Sequence, residues 1–216
     1  MIHVPRAFIF DLDGVLVDST GALCRSFLET LGEAGLPKKT PEEIMRFMGM
    51  ETHDWLRRLV PVQIRDDGTI EELCRKVEEK YEGNYVRQNE LYPDAAAALE
   101  ALKCGGHKLA VATNNYRKTA LELLGRLGIM RFFDAVATLS DVERPKPEPD
   151  TILYALGLLD VGAKDAAFVG DSATDLAAGK RAGVRTVLME RPWNDKLDHG
   201  FRIGSLSELS GGMFER

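Results

Sequence analysis

Near its start the chain carries a short uninterrupted apolar run, Ala7, Phe8, Ile9 and Phe10, that stops at Asp11. Such a run predicts a strand buried on both faces. The period then changes. In "TGALCRSFLETLGEAG", Leu23, Phe27, Leu28 and Leu31 recur at helical spacing, and Gly35 is placed to close the helix. "TPEEIMRFMG" opens with Thr40 as an N-cap, Pro41 at the first helical position and Glu43 to complete a capping box. "TIEELCRKVEEKYEGNY" repeats that device with Thr69 and Glu72, over an apolar stripe of Ile70, Leu73, Val77 and Tyr81. Residues 15–90 therefore read as helices alone.

Beyond Tyr92 and Pro93, strand and helix alternate. Residues 94–103 form a helix rich in Ala and Leu, halted by Gly105 and Gly106. The strand "KLAVAT" follows, then a helix marked by Leu121, Leu124 and Leu127. A weaker strand at "DAVATLS" leads through "RPKPEPD" to a helix with Ile152, Leu153, Leu156 and Leu159. "AAFVGDS", the helical "ATDLAAGKRAG" and a last strand, "RTVLM", complete the series. The tail from Arg191 is polar and weakly patterned. Alternation of this kind predicts an α/β fold, a parallel sheet with helices on both faces. The first strand belongs to that sheet but is separated from the rest by the helical block. The block is read as a cap inserted after it: residues 1–15 and 91–216 form the core, residues 16–90 the cap.

Composition narrows the function classes. The 216 residues carry a net charge of −6 without a long run of Lys and Arg, which argues against a nucleic-acid or membrane partner. A small anionic substrate needs only a locally positive pocket. Cys24, Cys74 and Cys104 are odd in number and lack metal-ligand spacing, so they read as reduced thiols. No apolar run reaches membrane-spanning length, and the expected location is the cytoplasm. No oligomeric state is legible.

The chemistry gathers where the predicted strands end, the edge at which open α/β sheets bind ligands. Asp11 and Asp13 follow the first strand, Thr113 the second, and Asp171 and Asp175 follow "AAFVG"; Lys146 lies in the proline-braced loop after the weak strand. Residues two apart on an extended segment share a face, so Asp11 and Asp13 point the same way while Leu12 turns inward. With Asp171 added, three acids crowd one point. A hard divalent cation relieves that repulsion, and oxygen-only ligands favour Mg²⁺ over zinc. Thr113, Asn114 and Asn115 offer a hydroxyl and backbone N–H groups to an anion, and Lys146 a positive charge. The set suits phosphoryl transfer, with one carboxylate as nucleophile and the other as acid and base.

In this order, "DLDGVLVDS", "ATN", "KPEPD" and "GDSATD" resemble the four motifs of the haloacid dehalogenase superfamily, in its helical-cap subgroup. The resemblance spans the whole chain. It implies a Rossmann-like core with a helical cap, and a Mg²⁺-dependent hydrolase working through an aspartyl-phosphate. By position Asp11 becomes nucleophile and metal ligand, and Asp13 acid/base, lending its backbone carbonyl to the metal. Thr113, Asn114 and Lys146 would hold the phosphoryl group, and Asp171 would complete the metal site. Asp175 has two open roles: contact with the metal through water, or orientation of its neighbours.

Asp13 argues for phosphate chemistry over dehalogenation and over phosphonoacetaldehyde hydrolysis, since those groups lack an aspartate there. The sugar-phosphate mutases keep it, but their cap histidine, lysine and arginine fall at Leu23, Met48 and Thr52. "TNN" and "GDSATD" look more like phosphoglycolate phosphatases and the phosphatases related to β-phosphoglucomutase. The expected function is thus a phosphatase acting on a small phosphorylated metabolite, with phosphoglycolate favoured and a sugar-phosphate mutase, sugar phosphatase or pyrophosphatase as the alternative. Met48, Gly49 and Met50 are candidate substrate contacts of the cap, with core filling and a helix end as the competing reading. Few charges accompany them apart from Arg46 and Glu51, which weakens the case for a second anion bound by the cap. A phosphoacceptor signalling module and a non-catalytic binding protein are the rivals from other classes; Asp13 speaks against the first, and the joint presence of Asp11, Asp13, Lys146 and Asp171 against the second.

Overall fold

The computed structural model describes residues 4–210 and residue 214, without the side chains of Asn84 and Tyr85. In chain order the main elements are β1 (Ala7–Phe10), β2 (Val17–Asp18), α1 (Thr20–Glu33), α2 (Pro41–Met45), α3 (Thr52–Leu59) and α4 (Asp67–Lys80). They continue with β3 (Glu90–Leu91), α5 (Ala95–Cys104), β4 (Lys108–Ala112), α6 (Arg117–Arg126), β5 (Ala135–Ala137) and α7 (Asp150–Leu159). The series ends with β6 (Ala166–Gly170), α8 (Ala173–Ala182), β7 (Arg185–Met189) and β8 (Arg202–Ile203).

Six strands form one parallel sheet in the order β5-β4-β1-β6-β7-β8. The first strand is central because its side chains are apolar on both faces. Phe8 and Phe10 join the apolar cluster under α5 and α6, with Leu99, Leu102, Leu123 and Leu124. Ala7 and Ile9 face the cluster under α7 and α8, with Ile152, Leu156 and Ala178. The chain passes from β1 to β4 on one side and later returns to β6 on the other, so loops diverge at the carboxyl end of β1 and open a crevice there.

Helices α1 to α4 share a third apolar cluster, in which Phe27 packs against Trp55 with ring centroids 4.5 Å apart. Thr40, Pro41 and Glu43 form the expected capping box. Two readings of the block need correction. The cap of α4 is Asp66, not Thr69: its carboxylate accepts the Thr69 N–H at 2.9 Å, and the first turn tolerates Gly68. The block is also not purely helical, because β2 and β3 pair antiparallel where the chain leaves the core and where it returns.

Elsewhere Leu121 and Leu153 are exposed, since α6 and α7 bury their neighbours Leu123, Leu124, Ile152 and Leu156 instead. The tail does more than its pattern indicated. It supplies β8, which pairs with β7 and extends the sheet by a strand. Among the described residues no helix is long and apolar enough to cross a membrane.

Candidate active site

Strand register assembles the site. Phe10 lies beside Val111 and Val169 in the neighbouring strands, so Asp11, Thr113 and Asp171 all emerge within two residues of one line across the sheet. The Asp11 N–H donates to Val169 O at 2.9 Å, which extends the pairing one residue past the strand. The turn that follows needs Gly14: its φ is +78°, and a Cβ there would sit 2.3 Å from Asp171 Oδ2.

Lys146 is the electrostatic centre. It is almost fully buried, and its Nζ lies 2.8 Å from Asp11 Oδ1 and 2.7 Å from Asp175 Oδ1. Its backbone is clamped by Asn114, whose Oδ1 accepts the Lys146 N–H and whose Nδ2 donates to the Lys146 carbonyl, both at 2.9 Å. The Asn114 side chain is thereby occupied, so any contact it makes with a phosphoryl group falls to its backbone N–H. Thr113 is buried, and its Oγ1 accepts the Asn115 N–H at 3.1 Å.

Asp11, Asp171 and Asp175 bring carboxylate oxygens within 4.8 Å of one another. Their environments differ. Asp11 Oδ1 also accepts the Leu12 N–H at 2.8 Å. Asp171 Oδ2 accepts the Trp193 indole N–H at 2.7 Å, while its buried Oδ1 has no partner. Asp175 is saturated: Oδ1 meets Lys146, and Oδ2 accepts from the Asp171 N–H, the Ser172 N–H and the Ser172 hydroxyl. Asp175 also completes the capping box of α8, and that geometry favours orientation over ligation. Asp13 stands apart from the trio, with Oδ2 accepting from the Asn115 amide.

The site fits a hard divalent cation on its own terms. An unpartnered buried oxygen on Asp171, a second acid at Asp11 and an all-oxygen donor set are what Mg²⁺ requires. Without such a charge the acids are strained. Loss of hydration raises Asp11 to about 7, against the pull of Lys146, and raises Asp171 well above the usual range with help from Asp175 and Asp11. It also raises Asp13, opposed in part by hydrogen bonding. Burial works against the Lys146 ammonium, but Asp11 and Asp175 outweigh it and hold its pKa above the ordinary lysine value.

These shifts have a measurable sign. An acid with a raised folded-state pKa holds its proton better folded than unfolded, so stability falls as pH climbs from the unfolded value through the folded one. Surface acids such as Asp66 and Glu72 are shifted downward, so their contribution is complete at lower pH. The chelator-treated protein is therefore expected to melt lower at pH 7.5 than at pH 5.5, on the order of 5 °C, with Mg²⁺ restoring the loss chiefly at the higher pH. Calorimetry at both values checks this; a melting point that rises with pH in chelator would count against a strained acid cluster.

The helical block meets the carboxyl edge of the sheet at the Asp171 loop. Thr174 Oγ1 donates to the Gly49 carbonyl at 2.8 Å, and Gly49, at φ +85°, leaves no room for a Cβ, which would stand 2.4 Å from Ser172 Oγ. Met48 is buried in the apolar cluster of α1 to α4, while the half-buried Met50 shares with it a cavity of about 110 Å³ beside Asp171. A further cavity of about 70 Å³ lies between the helical block and Asn114, Asn115 and Tyr116, and Glu51, Glu78 and Glu82 line it.

Arg191, Trp193 and Asn194 escaped the sequence reading altogether. Arg191 donates through Nε to Gly14 O at 2.6 Å and stacks on Tyr92, and Asn194 Nδ2 donates to Asp171 O at 2.6 Å. The sole hint was Trp193 standing beside Asn194 in a weakly patterned tail.

Residues 8–189 match the family model described as haloacid dehalogenase-like hydrolase. A phosphoglycolate phosphatase of Aquifex aeolicus is 33% identical over 85% of this chain and 84% of its own length. A pyrophosphatase of Bacillus cereus is 29% identical over 93% of each. In fold, a haloacid dehalogenase-like family hydrolase of Streptococcus pneumoniae superposes with a TM-score of 0.82 at 23% identity, over 98% of this chain and 99% of that one. The chain, with its six-stranded sheet and its cluster of strand-end acids, belongs to the haloacid dehalogenase-like hydrolases.

Proposed function

We propose that this hydrolase is a Mg²⁺-dependent phosphatase that cleaves a small-molecule phosphomonoester through an aspartyl-phosphate on Asp11. The observation that carries the reading is the bridge made by Lys146 between Asp11 and Asp175, beside an Asp171 oxygen that lacks a partner. Asp11, Asp171 and the Asp13 carbonyl are the groups assigned to the cation, whose chemistry when bound is to neutralise charge on the phosphoryl oxygens.

The chain's own residues do the rest. Thr113, the Asn114 backbone N–H and Lys146 receive the phosphoryl oxygens and hold phosphorus in line with Asp11. As the carboxylate of Asp11 bonds to phosphorus, the bond to the leaving oxygen breaks and that oxygen takes the proton of Asp13. Burial shifts the pKa of Asp13 upward, the direction that favours a general acid. Asp13, now ionised, takes a proton from water as the water oxygen bonds to phosphorus, which frees inorganic phosphate and regenerates Asp11. Residues 16–90 act as a cap that closes over this step. Three unpaired cysteines suit the reducing cytoplasm as its place of work.

Similarity puts 2-phosphoglycolate first among substrates and pyrophosphate second. The acidic wall formed by Glu51, Glu78 and Glu82 favours a second reading, a neutral leaving group such as a sugar, because a second anion would face like charge. Phosphate release from 2-phosphoglycolate, pyrophosphate, hexose phosphates and nucleoside monophosphates, with Mg²⁺ and with chelator, decides between them. We expect Mg²⁺-dependent turnover of at least one monoester; turnover undiminished in chelator would overturn the metal-dependent mechanism.

A further inference from the structure

We propose that Trp193 is a positioning residue that chooses which oxygen of Asp171 faces the cation and ties that choice to the seating of the cap. The inference rests on the reading that Asp171 holds Mg²⁺. An indole N–H only donates. Its 2.7 Å bond to Asp171 Oδ2 therefore engages that oxygen and fixes the carboxylate's rotation, leaving Oδ1, buried and unpartnered, as the ligand.

The segment that carries the indole is held from three directions. Asn194, next in the chain, donates through Nδ2 to both Asp171 O, at 2.6 Å, and Met189 O, at 2.8 Å. Arg191 is fixed to the turn after β1 through Gly14 O, and its own N–H donates to Asn194 Oδ1 at 3.0 Å. On its other side the Trp193 ring packs into the apolar cluster of the cap and lines the cavity that also contains Phe47 and Met50. One side chain thus touches a proposed cation ligand with its polar atom and the cap with its ring. A shift of the cap away from the core removes packing from the indole, loosens its bond to Asp171 and weakens the cation site. Linkage makes the effect reciprocal: cation binding favours the seated cap.

Two measurements on the full chain test this. The first is the Mg²⁺ dissociation constant, from calorimetric titration of the parent and of Trp193→Phe, which keeps an aromatic ring and deletes the N–H. Partners that orient a metal ligand are worth about 10- to 100-fold in metal affinity. The expected result is an affinity loss of about tenfold, with kcat at saturating Mg²⁺ within about twofold of the parent. The second uses unsubstituted sequence labelled with 5-fluorotryptophan, which reports on the chain's two tryptophans, Trp55 and Trp193, by fluorine NMR. Mg²⁺ should shift one resonance and leave the other, that of the cap-core Trp55, in place.

Equal Mg²⁺ affinity in parent and Trp193→Phe overturns the role of Trp193 while leaving the cation site standing. Two resonances that both ignore Mg²⁺ in a parent that binds it do the same, including where Trp193→Phe fails to fold. A parent that binds no Mg²⁺ at all overturns both this proposal and the reading beneath it.

Discussion

Asp11→Asn is expected to abolish turnover, by about 10⁴-fold or more, without loss of the fold. The amide keeps the size of the side chain and an oxygen that can accept the Leu12 N–H and the Lys146 ammonium, the two contacts now made by Asp11 Oδ1. What it lacks is a nucleophilic oxygen. Burial already disfavours the charge on Asp11, so removing it relieves the metal-free cluster. The variant should thus melt no lower than the parent in chelator at pH 7.5. An inactive protein that is also unfolded would say nothing about chemistry, so the two readouts are taken together. Full activity from the purified variant would dismiss Asp11 as nucleophile.

Lys146→Met should damage both stability and catalysis. The ammonium is buried between two carboxylates, and removing one partner of a buried charged network commonly costs about 3–5 kcal/mol. Methionine fills the space of the lysine stem beside Phe168, so the loss isolates the charge. Asp11 would then lose the ammonium that opposes the upward push of burial on its pKa, so its carboxyl would be held still more strongly in the protonated form. The loss should consequently be larger at pH 7.5 than at pH 5.5, which urea melts at the two values would reveal. Phosphate release should fall by about 10²-fold or more, because the charge proposed to receive the transferring group is gone. A variant as stable as the parent at pH 7.5 would mean that Lys146 does not balance these acids.

How much of this was legible from sequence depends on what kind of physical signal each element leaves. β1 was plain because a strand apolar on both faces has a single use in a small protein, a place at the centre of a sheet. Thr40, Pro41 and Glu43 were equally plain, since capping is a contract between residues three apart. Asp11, Asp13, Thr113, Lys146 and Asp171 could be gathered because parallel strands end on one edge, so each loop residue had a known address. The acids' internal arrangement was not accessible. Nothing local reveals that Asp175 is saturated by Lys146, Ser172 and two backbone N–H groups, or that Asp13 turns toward Asn115. Such choices depend on rotamers that only the packed structure selects.

The C-terminal segment was hidden for another reason. Arg191, Trp193 and Asn194 act through contacts with Gly14 and Asp171, more than twenty residues away or more than one hundred and seventy. A polar stretch without periodicity resembles any loop, and its partners cannot be read from its own composition. Leu121 and Leu153 mark their helices by spacing yet lie exposed, because the adjacent positions already fill the buried face.

The short ribbon of β2 and β3 bears on how such a protein can change over evolutionary time. Val17 is paired with Leu91 and Asp18 with Glu90, so the chain departs and returns at a single doorway. Whatever lies between these pairs can lengthen, shorten or be exchanged without moving a strand of the six-stranded sheet. Under the proposed function, selection can therefore vary the insert by trial of many sequences while the strand-end acids stay where the sheet puts them.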